Sequence, residues 1–142
     1  MAKSSKPSRS PKRAPAARSS DARLRRALRA AVRAAEGKKA VDPVLLDLRR
    51  QADFCDYFLI CHGNNPHQIE AIAEAIELRL KEQGLRPLQR EGARQAEWVA
   101  LDYMDFMVHI FTPRTRHFYD LERLWSGAPR VRLDTRSRER QA

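Results

Sequence analysis

Apolar positions along the chain repeat with two different periods. Leu24, Ala27, Leu28, Ala31 and Val32 recur at three- and four-residue spacing through RLRRALRAAVRAAE, which predicts an amphipathic helix with its arginines outward. Ser20 or Asp21 can cap that helix, and Gly37 supplies a stop. The same spacing returns at Ile69, Ile72, Ala73, Ile76 and Leu80. Here Asn65 is the N-cap, Pro66 takes the first helical position, Gln68 completes a variant capping box, and Gly84 ends the helix.

Shorter runs lie between and after these helices. PVLLDL (43–48) and DYFLIC (56–61) are apolar almost without alternation, as expected of strands covered on both faces. The eight residues 49–56 are too few for a crossover helix, so the two strands should pair antiparallel. LQREG (88–92) follows the second helix and makes a strand-helix-strand crossover between parallel strands. EWVALDYMDFMVHIF (97–111) reads as a hairpin. With Asp102 opposite Asp105 across a turn at Tyr103 and Met104, Val99, Leu101, Phe106, Val108 and Ile110 share a core face. Trp98, Ala100, Met107 and His109 share the other face, which is uncharged and amphipathic and so seats either a helix or a partner. A last helix starts at Thr112 and Pro113 and carries Phe118, Leu121, Leu124 and Trp125 inward before Gly127 and Pro129 stop it. The expected fold is α+β: a mixed, mostly five-stranded sheet with flanking helices.

Length and composition narrow this picture. The 142 residues suit one domain, and no apolar run approaches the ~20 residues of a membrane span. Two cysteines, Cys55 and Cys61, cannot make a disulfide scaffold and favour a reducing compartment. The net charge of +10 is unevenly placed. Residues 1–40 hold 13 Lys/Arg and 2 Asp/Glu (+11), residues 41–129 hold 10 and 14 (−4), and residues 130–142 hold 5 and 2 (+3). Basicity therefore sits at the ends, and the tails rather than the middle should meet RNA. Residues 1–20, rich in Ser, Pro, Ala and basic groups, read as a disordered arm, residues 21–130 as the domain, and residues 131–142 as a basic tail. The arm has the composition of a transit peptide, but Pro7, Pro11 and Pro15 interrupt the helix such a signal needs, so a bacterial cytoplasmic protein is expected over a mitochondrial one.

Candidate chemistry is sparse. Cys55, Cys61, His62 and His67 form C-x5-C-H-x4-H, which matches no common zinc spacing, and Cys61 and His62 point to opposite sides of a strand. No G-x-S-x-G elbow is present, and Gly63 alone does not make a phosphate loop. Asp102 and Asp105 could hold Mg²⁺, but they flank a turn instead of projecting side by side from a strand. Trp98 is either a core residue or a partner contact. Neither a catalytic set nor a cofactor or metal is expected.

The motifs taken together resemble the ribosomal silencing factor (Iojap) family. They are D-Y-F-L-I-x-x-G (56–63), E-W-V-x-L-D-Y-x-D (97–105), V-H-I-F (108–111) and Y-D-L-E-R-L-W (119–125), and the resemblance spans about residues 23–131. It implies a sheet of nucleotidyltransferase-like topology without catalytic residues. It also implies a translational repressor that binds the large ribosomal subunit through large-subunit ribosomal protein number fourteen and obstructs joining of the small subunit. The implied partner contacts are Trp98, Val99, Asp102 and Tyr103, to which the hairpin pattern adds Ala100 and Met107; self-association when free and nonspecific rRNA contacts by the basic tails are expected as well. Two positions depart from the family pattern: Met104 replaces a common turn Gly, and Gly63, Asn64, Asn65 replace G-T-S. The alternatives are a Mg²⁺-dependent nucleotidyltransferase-like enzyme and a general RNA-binding module, whose affinity would vanish with the tails.

Overall fold

The computed structural model describes residues 21–92 and 95–133. Helix α1 (21–37) leads into strands β1 (Val41–Asp47) and β2 (Tyr57–His62), then helix α2 (Pro66–Lys81). Strands β3 (Gln89–Glu91), β4 (Trp98–Asp102) and β5 (Phe106–Phe111) follow, then the short helices α3 (Pro113–Tyr119) and α4 (Leu121–Leu124), and strand β6 (Arg130–Val131). The arm at 1–20 lies outside the described residues, as do residues 134–142 of the tail.

The sheet is mixed and has six strands in the order β3-β4-β5-β2-β1-β6. β1 pairs antiparallel with β2, as the short link between them requires. β2 and β5 pair in parallel at the centre, and β3-β4-β5 is an antiparallel run. β3 therefore runs parallel to β2 as expected of the crossover, but the β4-β5 hairpin lies between them. The sixth strand is the correction to a mostly five-stranded reading. β6 pairs only Leu45 with Val131 and Leu46 with Arg130, and two residues carry no periodicity to read. It takes the ordered sheet past residue 130, and Val131 and Leu133 pack against the main core.

Both faces of the central strands are buried, which explains their unbroken apolar runs. On one face Leu45, Tyr57, Leu59, Cys61, Val99, Leu101, Phe106, Val108 and Ile110 pack with the apolar stripes of α1 and α2. On the other, Leu46, Leu48, Cys55, Phe58, Ile60 and Phe111 form a smaller core beside Leu121 and Trp125. The hairpin register differs from expectation by two: Asp102 faces Met107, not Asp105. A shift of two leaves every side chain on its expected face, since the strand period is two.

Local signals set the helix ends. The Asn65 side chain accepts from the Gln68 amide (2.8 Å), while Gln68 Oε1 accepts from Asn64 N (2.8 Å), one residue further back than a strict capping box. Gln68 Nε2 then donates to the Lys38 and Lys39 carbonyls (3.1 and 3.0 Å), tying the end of α1 to the start of α2. The stop of α1 is not Gly37: Lys39 takes the left-handed conformation (φ 64°), and Ala40 N donates to the Ala35 carbonyl (3.0 Å). The expected single last helix is broken in two at Asp120, which adopts φ 47°. The break resets the helical phase, so Phe118 and Leu124 are exposed instead of inward, while Leu121 and Trp125 are half-buried.

One glycine is indispensable to the sheet edge. Gly92 has φ +102° and passes so near β4 that a Cβ there would lie 2.5 Å from the Trp98 carbonyl oxygen. Gly92→Ala should therefore cost about 2 kcal/mol or more of stability, read as a lowered denaturant midpoint with an unchanged m-value.

Candidate interaction face

The sheet face opposite α1 and α2 carries the residues the hairpin reading singled out. Trp98 opens β4 across from Phe111, Ala100 faces His109, and Asp102 faces Met107. The Trp98 indole N–H donates to His109 Nδ1 (3.1 Å), so His109 Nε2 carries the ring proton in the neutral form. Ring contacts then run in a continuous chain. Phe118 meets Tyr119 at 5.0 Å between centroids, Tyr119 meets Trp98 at 4.5 Å, and Trp98 meets His109 at 5.8 Å. His109 meets Phe58 at 4.5 Å, Phe58 meets Phe54 at 6.0 Å, and Phe54 meets Trp125 at 6.1 Å. Three rings of this ribbon are open to solvent: Phe118 is 75% exposed, Phe54 50% and Tyr119 44%.

The covering helices are fixed by polar contacts. Thr112 caps α3 reciprocally with Thr115, whose hydroxyl also donates to the Glu97 carbonyl (2.7 Å) at the entrance to β4. Arg116 is nearly buried and holds three groups at once through four hydrogen bonds. It donates to both carboxylate oxygens of Glu122 (3.1 and 3.0 Å), to the Val41 carbonyl (3.2 Å) and to His62 Nδ1 (2.9 Å). These bonds pin α3 and α4 to β1 and β2, and they hold His62 neutral: burial first, then the Arg116 charge, pushes its pKa down. His109 is pushed down to about 4 by burial alone, and its Nε2 has no hydrogen-bond partner among the described residues.

Of the six expected partner contacts, the fold brings Trp98, Ala100, Asp102 and Met107 together on this face. Trp98, Asp102 and Met107 are half-buried, and Ala100 is 7% exposed. Val99 and Tyr103 belong to the opposite face and are buried in the main core, where Tyr103 stacks on Phe106 at 4.9 Å. Burial raises the Tyr103 hydroxyl pKa. Phe54, Phe118, Tyr119 and Trp125 escaped the sequence reading as members of this face. The adjacent aromatics FY at 118–119 were the one signal for two of them.

Asp102 and Asp105 bracket a tight turn. Asp105 N donates to the Tyr103 carbonyl and Met104 N to Asp102 Oδ1, both at 2.9 Å, with Met104 at φ 75°. This is a γ-turn with a side chain at its strained centre. Asp102 is thus spent on its own backbone. Cys61 faces the main core with its thiol pushed up to about 12 by burial, whereas His62 binds Arg116 on the other side of the strand. Among the described residues no three His, Cys, Asp or Glu side chains converge on a common point, and no helix is long and apolar enough to cross a membrane.

Fold and face together define an α+β domain whose mixed sheet is roofed by long helices on one side and by a thin aromatic layer on the other. The profile of the family described as "Ribosomal silencing factor during starvation" matches residues 21–142. A ribosomal silencing factor from Halalkalibacterium halodurans is 42% identical over 107 residues, covering 75% of this chain and 92% of the relative. A crystal structure of a protein from Chromobacterium violaceum superposes with a TM-score of 0.69 at 31% identity, over 71% of this chain and 84% of that one. A more distant mouse relative, "Mitochondrial assembly of ribosomal large subunit protein 1", is 25% identical over 92 residues, 63% of this chain and 40% of its own. The chain belongs to the ribosomal silencing factor family.

Two outcomes follow from this geometry. Met104 is exposed, so Met104→Gly removes the left-handed strain without losing packing; it should raise stability by up to about 1 kcal/mol, seen as a higher thermal midpoint. The unfolded chain takes up the His109 proton near pH 6.5 and the folded chain only near 4, so stability is complete above about 6.5 and falls as pH drops toward 4. A thermal-midpoint series across that window should slope downward in the wild type and less steeply in His109→Phe, where the lowered pKa of His62 still contributes.

Proposed function

We propose that the chain represses translation by binding the large ribosomal subunit through large-subunit ribosomal protein number fourteen, with the aromatic ribbon as the contact. Its bulk then obstructs the small subunit. The observation that carries this reading is the linked row of rings with exposed members at Phe54, Tyr119 and Phe118, because aromatic side chains clustered on an open face supply the desolvated anchors of protein interfaces. Family membership supports a target on the ribosome, and the mouse relative's name supports the large subunit. The action is occlusion rather than catalysis, and its setting is the bacterial cytoplasm.

Mixing the protein with separated subunits should lower the yield of joined ribosomes in proportion to occupancy of the large subunit. Phe54→Ala combined with Tyr119→Ala should weaken binding to the isolated ribosomal protein by about 2 kcal/mol or more while the thermal midpoint stays near wild type, since both rings are half exposed. Unchanged joining at saturating protein would refute the reading. Trp98→Ala should lower stability and binding together, because Trp98 is half-buried against Tyr119 and Phe111 and satisfies His109 Nδ1.

A further inference from the structure

The division of charge by residue number hides a structural fact. Of the 13 basic residues in 1–40, seven fall at 21–40, and five of these are arginines of the ordered helix α1: Arg23, Arg25, Arg26, Arg29 and Arg33. At about 100° per residue, Arg25, Arg26, Arg29 and Arg33 occupy roughly a quarter of the helix circumference. The opposite side, Leu24, Ala27, Leu28, Ala31 and Ala35, is buried in the main core. Arg25 and Arg26 are exposed, and Arg29 and Arg33 half-buried. Arg25, Arg26 and Arg29 make no ion pair among the described residues. Asp21 and Glu36 are the acidic residues of the helix and stand at its two ends.

We infer that this arginine stripe is a second interaction surface, on the side of the sheet away from the aromatic ribbon, and that its occupant is the phosphate backbone of structured RNA. Arg25, Arg29 and Arg33 rise about 6 Å per step along the helix, on the scale of successive phosphates of one strand. The guanidinium fork matches phosphate oxygens with two parallel hydrogen bonds, and the stripe is all arginine. The helix has no free apolar flank to lay into a bilayer, because that flank is the core. It also shows none of the aromatic anchors of a protein interface, whereas charge alone suffices for nonspecific RNA binding. The six Lys/Arg of residues 1–20, with no acidic residue, continue the charge from its N-terminal end. That the RNA is ribosomal rests on the proposed function; that the stripe binds RNA does not.

The test uses the full chain and a fluorescent, mixed-sequence RNA duplex, with anisotropy titrations over a range of KCl concentrations. Arg25→Gln, Arg26→Gln, Arg29→Gln and Arg33→Gln are combined in one variant; Gln keeps helix propensity, and the thermal midpoint verifies the fold. The variant should bind the duplex about tenfold more weakly near 0.1 M salt, and its salt slope should fall by about 2 to 3. Its affinity for the isolated ribosomal protein should be unchanged. A second variant, with the six basic residues of 1–20 changed to Gln, should keep the part of the slope that the first one loses. Wild-type affinity and slope in the helix variant would overturn the inference, since the arm would then carry all the RNA binding. So would an equal loss on a poly-glutamate peptide or on anionic vesicles, which would make the stripe a general polyanion surface. If wild-type protein ignores large subunits while the helix variant loses the duplex as stated, the ribosome reading fails and the stripe stands.

Discussion

The parallel pairing of β2 with β5 governs everything else in this domain. Six residues of each strand pair in register at the centre of the sheet, and nearly all are buried, so both faces of the pair must be covered. The chain meets that demand unequally. One face receives α1 and the 16-residue α2; the other receives α3 and α4, of seven and four residues. Short helices bring few side chains, and large rings make up the missing area: Trp98, Phe111, Tyr119, Phe58 and Trp125 lie over or within the second core. A thin aromatic roof leaves ring edges at its margin, and that margin is where Phe54, Tyr119 and Phe118 meet solvent. The exposed apolar surface is thus a consequence of how the sheet is covered, and a partner can complete the layer that the chain leaves unfinished.

So thin a roof needs anchoring from within. Arg116 supplies it by bonding Glu122 across the break at Asp120 and reaching Val41 and His62 at the sheet. A buried guanidinium is costly unless its donors are satisfied, and here a carboxylate, a carbonyl and a neutral imidazole share them. The same logic explains why His62 and His109 are both held neutral. Each gives its Nδ1 to a donor from the layer above or beside it, and burial disfavours the charged form of each.

How much of this was legible depends on the length and redundancy of each signal. The α2 stripe spans four turns and carries its cap at Asn65, so the helix was readable in full. The faces of the β4-β5 hairpin were readable although its register was not, because a two-residue slip preserves alternation. β6 was invisible because pairing two residues leaves no pattern. The breaks at Lys39 and Asp120 were invisible because each puts a non-glycine residue at positive φ, a choice set by tertiary contacts rather than composition. For the candidate face, the hairpin pattern gave Trp98, Ala100 and Met107. Val99 and Tyr103 entered by resemblance although their strand positions place them in the core. Phe54 and Tyr119 come from a loop and a helix end, and only the fold brings them to Phe58 and Trp98.

Charge is where sequence position misleads most. A cut at residue 40 joins an arm outside the described residues to a helix whose buried side is among the best packed parts of the domain: Ala31 and Ala35 are wholly inaccessible. The domain is therefore not an acidic body with basic ends. One side of its sheet carries the aromatic ribbon, and the other carries, along α1, a row of arginines at helical spacing. On the two proposals above, one side of the sheet would recognise a protein and the other would hold phosphates.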